Sequence, residues 1–96
     1  MGSTDDKALA TIGVTVLYFA RLREAFGVAS ERVELPADTS NAGALREQLR
    51  TRGGVWAAEL APSRAIRVAV NQEVVELTSA LRDGDEVALF PPVTGG

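Results

Sequence analysis

Apolar and polar positions change period several times along this 96-residue chain, and each change marks an element. In GVTVLYFA (13–20) β-branched and aromatic residues crowd together, which predicts a strand. RLREAFG (21–27) is short and helix-friendly, and Gly27 can end a turn or two. SERVELP (30–36) alternates, with Val33 and Leu35 on one side and Glu34 on the other. Two strands with a short connection predict an antiparallel hairpin. The period then lengthens. In DTSNAGALREQLRTRGG (38–54), Ala42, Leu45 and Leu49 recur at helical spacing, Ser40 or Asn41 can cap the start, and Gly53-Gly54 stops the helix. Gly43 weakens its first turns slightly, and Arg46, Arg50 and Arg52 load its later turns, where cations favour the dipole. VWAAEL (55–60) adds a helical turn before Pro62, with Trp56 expected as a lid on the core. AIRVAV (65–70) and EVVEL (73–77) read as strands around a turn at Asn71. A tight turn at Asp83-Gly84-Asp85 feeds a last strand, Glu86 to Phe90.

The expected order is therefore β-β-α-β-β-β, with one main helix crossing a mixed, mostly antiparallel sheet. That is an α+β layer arrangement on the β-grasp, ubiquitin-like plan. Parity within the strands adds a consequence. Val14, Val16 and Tyr18 share one face of the first strand, and Thr15, Leu17 and Phe19 share the other. In the last strand Val87 and Leu89 oppose Ala88 and Phe90. One helix covers one face, so the other is expected to present Leu17, Phe19 and Phe90 to a partner. The competing expectation is that residues 55–64 fold over them.

Composition narrows the chemistry. Ninety-six residues make one domain. The net charge of −3 argues against an electrostatic grip on nucleic acid or an anionic membrane, and no apolar run reaches bilayer-spanning length. The chain has no Cys and no His, which removes disulfides, thiolate nucleophiles, the usual general base and the commonest transition-metal ligands. No metal site is expected, and a self-contained catalyst is disfavoured. MGSTDDKALATI (1–12) carries Asp5-Asp6 where a leader would have a basic start, and Asp6 where a myristoylation site needs Ser or Thr. Residues 1–12 are expected to form a disordered extension, 13–90 the domain and 91–96 a flexible tail, in a cytoplasmic protein.

The segments VLYFARLREAFG, RVAVN and DGDEVALFPPVTGG bring a resemblance into view. From about Val14 to Gly96 the chain resembles the MoaD-type sulfur carriers, the small subunits of molybdopterin synthase in the MoaD/ThiS family of ubiquitin-like carriers. The resemblance implies a non-catalytic carrier subunit that binds no cofactor. An activating enzyme would use ATP to adenylate the C-terminal carboxyl of Gly96, and a sulfur donor would displace AMP to leave a thiocarboxylate. The thiocarboxylate would supply sulfur to cyclic pyranopterin monophosphate in the active site of the large subunit, within a heterotetramer. Glycines at 95 and 96 suit a narrow channel because they lack a Cβ. Pro91 and Pro92 cannot donate ladder hydrogen bonds, so they end the strand and favour an extended tail through Val93 and Thr94. Six extended residues reach about 20 Å. The family's interface positions map onto Phe19, Val74, Phe90 and Arg23, two of which the parity argument reaches by itself. The alternatives are a sulfur carrier for thiamine or another pathway, a ubiquitin-like protein modifier, and a binding module whose tail is only an anchor.

Overall fold

The computed structural model describes residues 10–92. Five strands form one sheet in the order β2-β1-β5-β3-β4: β1 (Thr11–Tyr18), β2 (Ser30–Pro36), β3 (Arg67–Val70), β4 (Glu73–Val75) and β5 (Glu86–Phe90). β1 and β5 run parallel at the centre, and every other neighbouring pair is antiparallel. Three helices, α1 (Ala20–Phe26), α2 (Ala42–Arg50) and α3 (Gly54–Glu59), connect them, with a single 3-10 turn at Ala37–Thr39. The first strand starts at Thr11, so Thr11 and Ile12 belong to the fold and the extension is shorter than the expected 1–12. The cause is pairing: β2 runs on to Pro36, which sits opposite Thr11. The expected disorder of the first residues concerns positions outside the described ones, apart from this correction.

The core follows the predicted parity. Val14, Val16 and Tyr18 of β1 meet Val87 and Leu89 of β5, Val33 and Leu35 of β2 and Val68 of β3, all buried. α2 lays Ala42, Leu45 and Leu49 across them. Removing one such leucine side chain costs about 2–5 kcal/mol in cores of this kind. Asn41 caps α2 as the sequence suggests, its side-chain oxygen accepting the Ala44 N–H at 2.7 Å.

Arg46, expected as one of the cations in the later turns of this helix, falls inside the apolar stripe of α2 and is buried. Its Nε donates to the Leu60 carbonyl at 3.0 Å, and its Nη2 donates to those of Ala61 and Arg64 at 2.6 and 2.7 Å. These carbonyls end α3 and start the loop toward β3, so one guanidinium ties that loop to α2. Burial lowers the pKa of Arg46 from its ordinary value.

Trp56 packs on the core as expected. It stacks on Phe26 with centroids 3.8 Å apart, meets the edge of Tyr18, and carries the Arg52 guanidinium 4.4 Å above its ring. The Tyr18 hydroxyl, at the rim of this cluster, donates to Glu31 at 2.6 Å, and Glu31 also pairs with Arg52 at 2.7 Å.

Candidate functional site

The site is built from where the helices are not. Leu22 of α1, the stripe of α2 and Leu60 at the end of α3 all enter the core on one side of the sheet. Residues 55–64 pack there too, through Trp56 and Leu60, so the expectation that they fold over the other face is not met. Burying Trp56 against Tyr18 and Phe26 fixes that choice.

The opposite face is an ordered row. The registers set Leu17 beside Ala88, Ala88 beside Ala69, and Ala69 beside Val74, so four strands contribute to one line of apolar side chains. The next row pairs Phe90 with Arg67. Phe19 extends β1 by one position: its backbone is extended (φ −128°, ψ 157°) and its N–H donates to the Leu89 carbonyl at 3.3 Å. Its side chain therefore continues the face of Leu17, next to Phe90. The chain then turns abruptly at Ala20, whose φ of 54° lies in the left-handed region, and α1 departs toward the core side. Phe19 is 46% exposed and Val74 is 56% exposed, both large apolar side chains left to water. The row on the other side of Leu17 is polar, with Arg32 beside Thr15 and Thr15 beside Glu86.

Because β1 and β5 are parallel, both end at the same edge, and the tail leaves from the apolar half of the face. Pro91 and Pro92 follow β5 without entering a regular element, as expected of residues that cannot donate to a ladder. Val93, Thr94, Gly95 and Gly96, the expected threading and reacting residues, lie outside the described ones.

Of the predicted interface residues, Phe19, Val74 and Phe90 share this face, Phe19 and Phe90 as neighbours and Val74 on the edge strand. Arg23 does not: it lies on α1, lining a separate open hollow with Ala20, Glu24, Gly27, Val28 and Ala29. Sequence reasoning passed over Arg67, which occupies the open face beside Phe90. Its signal was present, since Arg67 and Ala69 alternate with Val68 and Val70 in the third strand.

The opposite end of the sheet is bound by polar contacts. The Asp83 carboxylate accepts the Gly13 N–H at 2.8 Å, and Gly84, at φ 89°, donates its N–H to the Gly13 carbonyl at 2.7 Å. The Asn71 side chain donates to Asp85 and accepts from the Glu86 N–H, both at 3.0 Å. The turn between β3 and β4 is thereby fixed to the start of β5. Among the described residues no cluster of His, Cys, Asp or Glu could hold a metal, and no helix is long and apolar enough to cross a membrane.

A five-stranded mixed sheet with a parallel central pair and helices on one face defines a β-grasp, ubiquitin-like protein. The chain belongs to the ThiS family, whose model matches residues 16–96. It is 45% identical over 83 residues to the molybdopterin synthase sulfur carrier subunit of Haemophilus influenzae, a match covering 86% of this chain and 99% of that protein. Among solved structures it is similar to one chain of the complex of subunits 1 and 2 of the molybdopterin-converting factor from Helicobacter pylori, at 27% identity and a TM-score of 0.58, covering 88% of this chain and all of the matched one. It is also similar to small archaeal modifier protein 1 of H. volcanii, at 30% identity and a TM-score of 0.63, covering 85% of this chain and 99% of that one.

Proposed function

We propose that this chain is the sulfur-carrier subunit of a molybdopterin synthase, acting in molybdenum cofactor biosynthesis. The single observation that carries the reading is the juxtaposition of an unroofed apolar row with the strand end from which the diglycine tail departs. Its 45% identity to a protein of that name selects the pathway over thiamine synthesis.

A carboxylate is a poor electrophile, so the Gly96 carboxyl needs a leaving group before it can accept sulfur. An activating enzyme forms the acyl-adenylate with ATP, releasing pyrophosphate. Sulfur delivered at the sulfide level then attacks the acyl carbon, the bond from that carbon to the AMP phosphate oxygen breaks, AMP departs, and the carbonyl carbon keeps one oxygen and gains one sulfur. This chain contributes reach and access rather than acid–base chemistry. Pro91 and Pro92 project the tail, and Gly95 and Gly96 allow it through a channel that a Cβ would obstruct. The open face docks on the large subunit, which holds the precursor and the bases of the reaction. The carrier is thus a consumable reactant of the complex, reset by the activating enzyme after each transfer.

The test is reconstitution. The thiocarboxylated chain, the large subunit and cyclic pyranopterin monophosphate should yield the dithiolene product, and a chain extended past Gly96 by a tag should fold normally and yield none. Equal yield from the extended chain would sink the proposal.

A further inference from the structure

We propose that Arg67 is the charged anchor of the open face and pairs with a carboxylate that the large subunit presents among its apolar contact groups. The inference rests on the docking reading above and deepens it by stating the partner's chemistry. Arg67 opens β3 directly opposite Phe90 in the antiparallel ladder, so the two side chains stand side by side on the same face. It is exposed, and among the described residues its guanidinium has no ion-pair or hydrogen-bond partner. Arg21, Arg32, Arg50, Arg52 and Arg64 each have a carboxylate within 4.0 Å and Arg46 has three carbonyls, while Arg23 and Arg82, whose guanidinium groups likewise have no partner among the described residues, lie in no strand of the sheet. Arg67 also borders a hollow of about 460 Å³ whose other walls are Ile66, Val68, Val74, Val75, Glu76 and Leu77. No ion pair joins Arg67 to Glu76.

Burial supplies the argument. Any surface that covers Phe90 and Val74 must also strip water from the guanidinium between them. A desolvated cation without an acceptor opposes association, whereas one met by a carboxylate gains charge-assisted, bidentate hydrogen bonds. A purely apolar partner surface therefore fits this face poorly. One apolar surface carrying a single Asp or Glu fits it, with the carboxylate over the hollow and the arginine stem lying on Phe90.

The experiment measures affinity of the full chain for its purified large subunit at low and high salt, using the native sequence, R67A, R67E and F90D. Melting temperature and sulfur loading serve as folding controls. R67A should weaken binding by about 30-fold or more and R67E further, with both variants still folding and loading. The native affinity should fall with salt, and R67A should flatten that dependence. An Asp or Glu of the large subunit changed to Arg should restore R67E. Native-like binding by R67E, with F90D defective, would overturn the Arg67 pairing and leave the docking face standing. Weaker binding by R67A with an unchanged salt dependence would equally overturn it, in favour of packing alone. Undiminished binding by F90D would overturn the docking reading itself.

Discussion

Replacing Arg46 by Met keeps most of the side-chain volume while removing the donors that hold residues 60–64 to α2. The Leu60 carbonyl belongs to a fully buried residue, so losing the 3.0 Å bond from Nε leaves an acceptor with no water to replace it. Such a group costs about 1–3 kcal/mol. The Ala61 and Arg64 carbonyls are only partly buried, and hydration can replace much of their 2.6 and 2.7 Å bonds, leaving about 0.5–1 kcal/mol each. Relief of the guanidinium's desolvation works the other way. The balance is a destabilisation of about 2–3 kcal/mol, or roughly 10–20 °C in melting temperature for a domain of this size. Urea titration followed by Trp56 fluorescence reads it directly, because Trp56 is the only tryptophan and sits in the helix that leads into the tethered segment. The folded R46M chain should still accept sulfur, since the tail is untouched. Native stability within 0.5 kcal/mol would refute the assignment of these three bonds as a structural tether.

Three further outcomes follow from particular contacts. F90D should keep the fold, because Phe90 lies on the open face, yet lose at least about 100-fold in affinity for the large subunit through burial of an unpaired charge; calorimetric titration checks it. Arg52 holds the Glu31 carboxyl below the usual carboxylate range, while burial and the Glu31 hydrogen bond push the Tyr18 hydroxyl well above its ordinary value. Glu31 therefore contributes stability that is present above its unfolded pKa and lost as pH falls through the lowered value. Tyr18 contributes stability that is full below its unfolded pKa of about 10 and lost as pH rises beyond it. Denaturation across pH should show both losses, the acid one flattened in E31Q and the alkaline one in Y18F. Finally, Gln72 holds a φ of 73° in the exposed turn after β3, so Q72G should raise stability by about 0.5–1 kcal/mol in thermal melts.

Strand parity was the most legible part of the sequence. Alternation in β1 and β5 separates Val14, Val16, Tyr18, Val87 and Leu89 from Leu17, Phe19 and Phe90, and burial divides them the same way. Asn41, as a short polar side chain before a helical stripe, was equally readable. What escaped depends on long-range partners. The start of β1 at Thr11 is set by Pro36, and the second strand of the last hairpin stops at Val75, where a run to Leu77 was expected. There the chain turns to α2 instead, the Leu77 carbonyl accepting the Gly43 N–H at 2.8 Å. Arg46 lay in plain view inside the stripe of Ala42, Leu45 and Leu49, but its carbonyl acceptors come from 14 to 18 residues away. The roles of Gly95 and Gly96 rest on motif chemistry, since they lie outside the described residues.

Whether Gly96 carries sulfur is read from the intact mass of the native chain isolated from cells with an active cofactor pathway. The expected result is a fraction heavier by the replacement of one oxygen with sulfur, with the increment confined to the C-terminal glycine in fragment spectra and lost when the activating enzyme is deleted. An unmodified carboxylate under those conditions, or an amide linking Gly96 to a lysine as the main species, would contradict it.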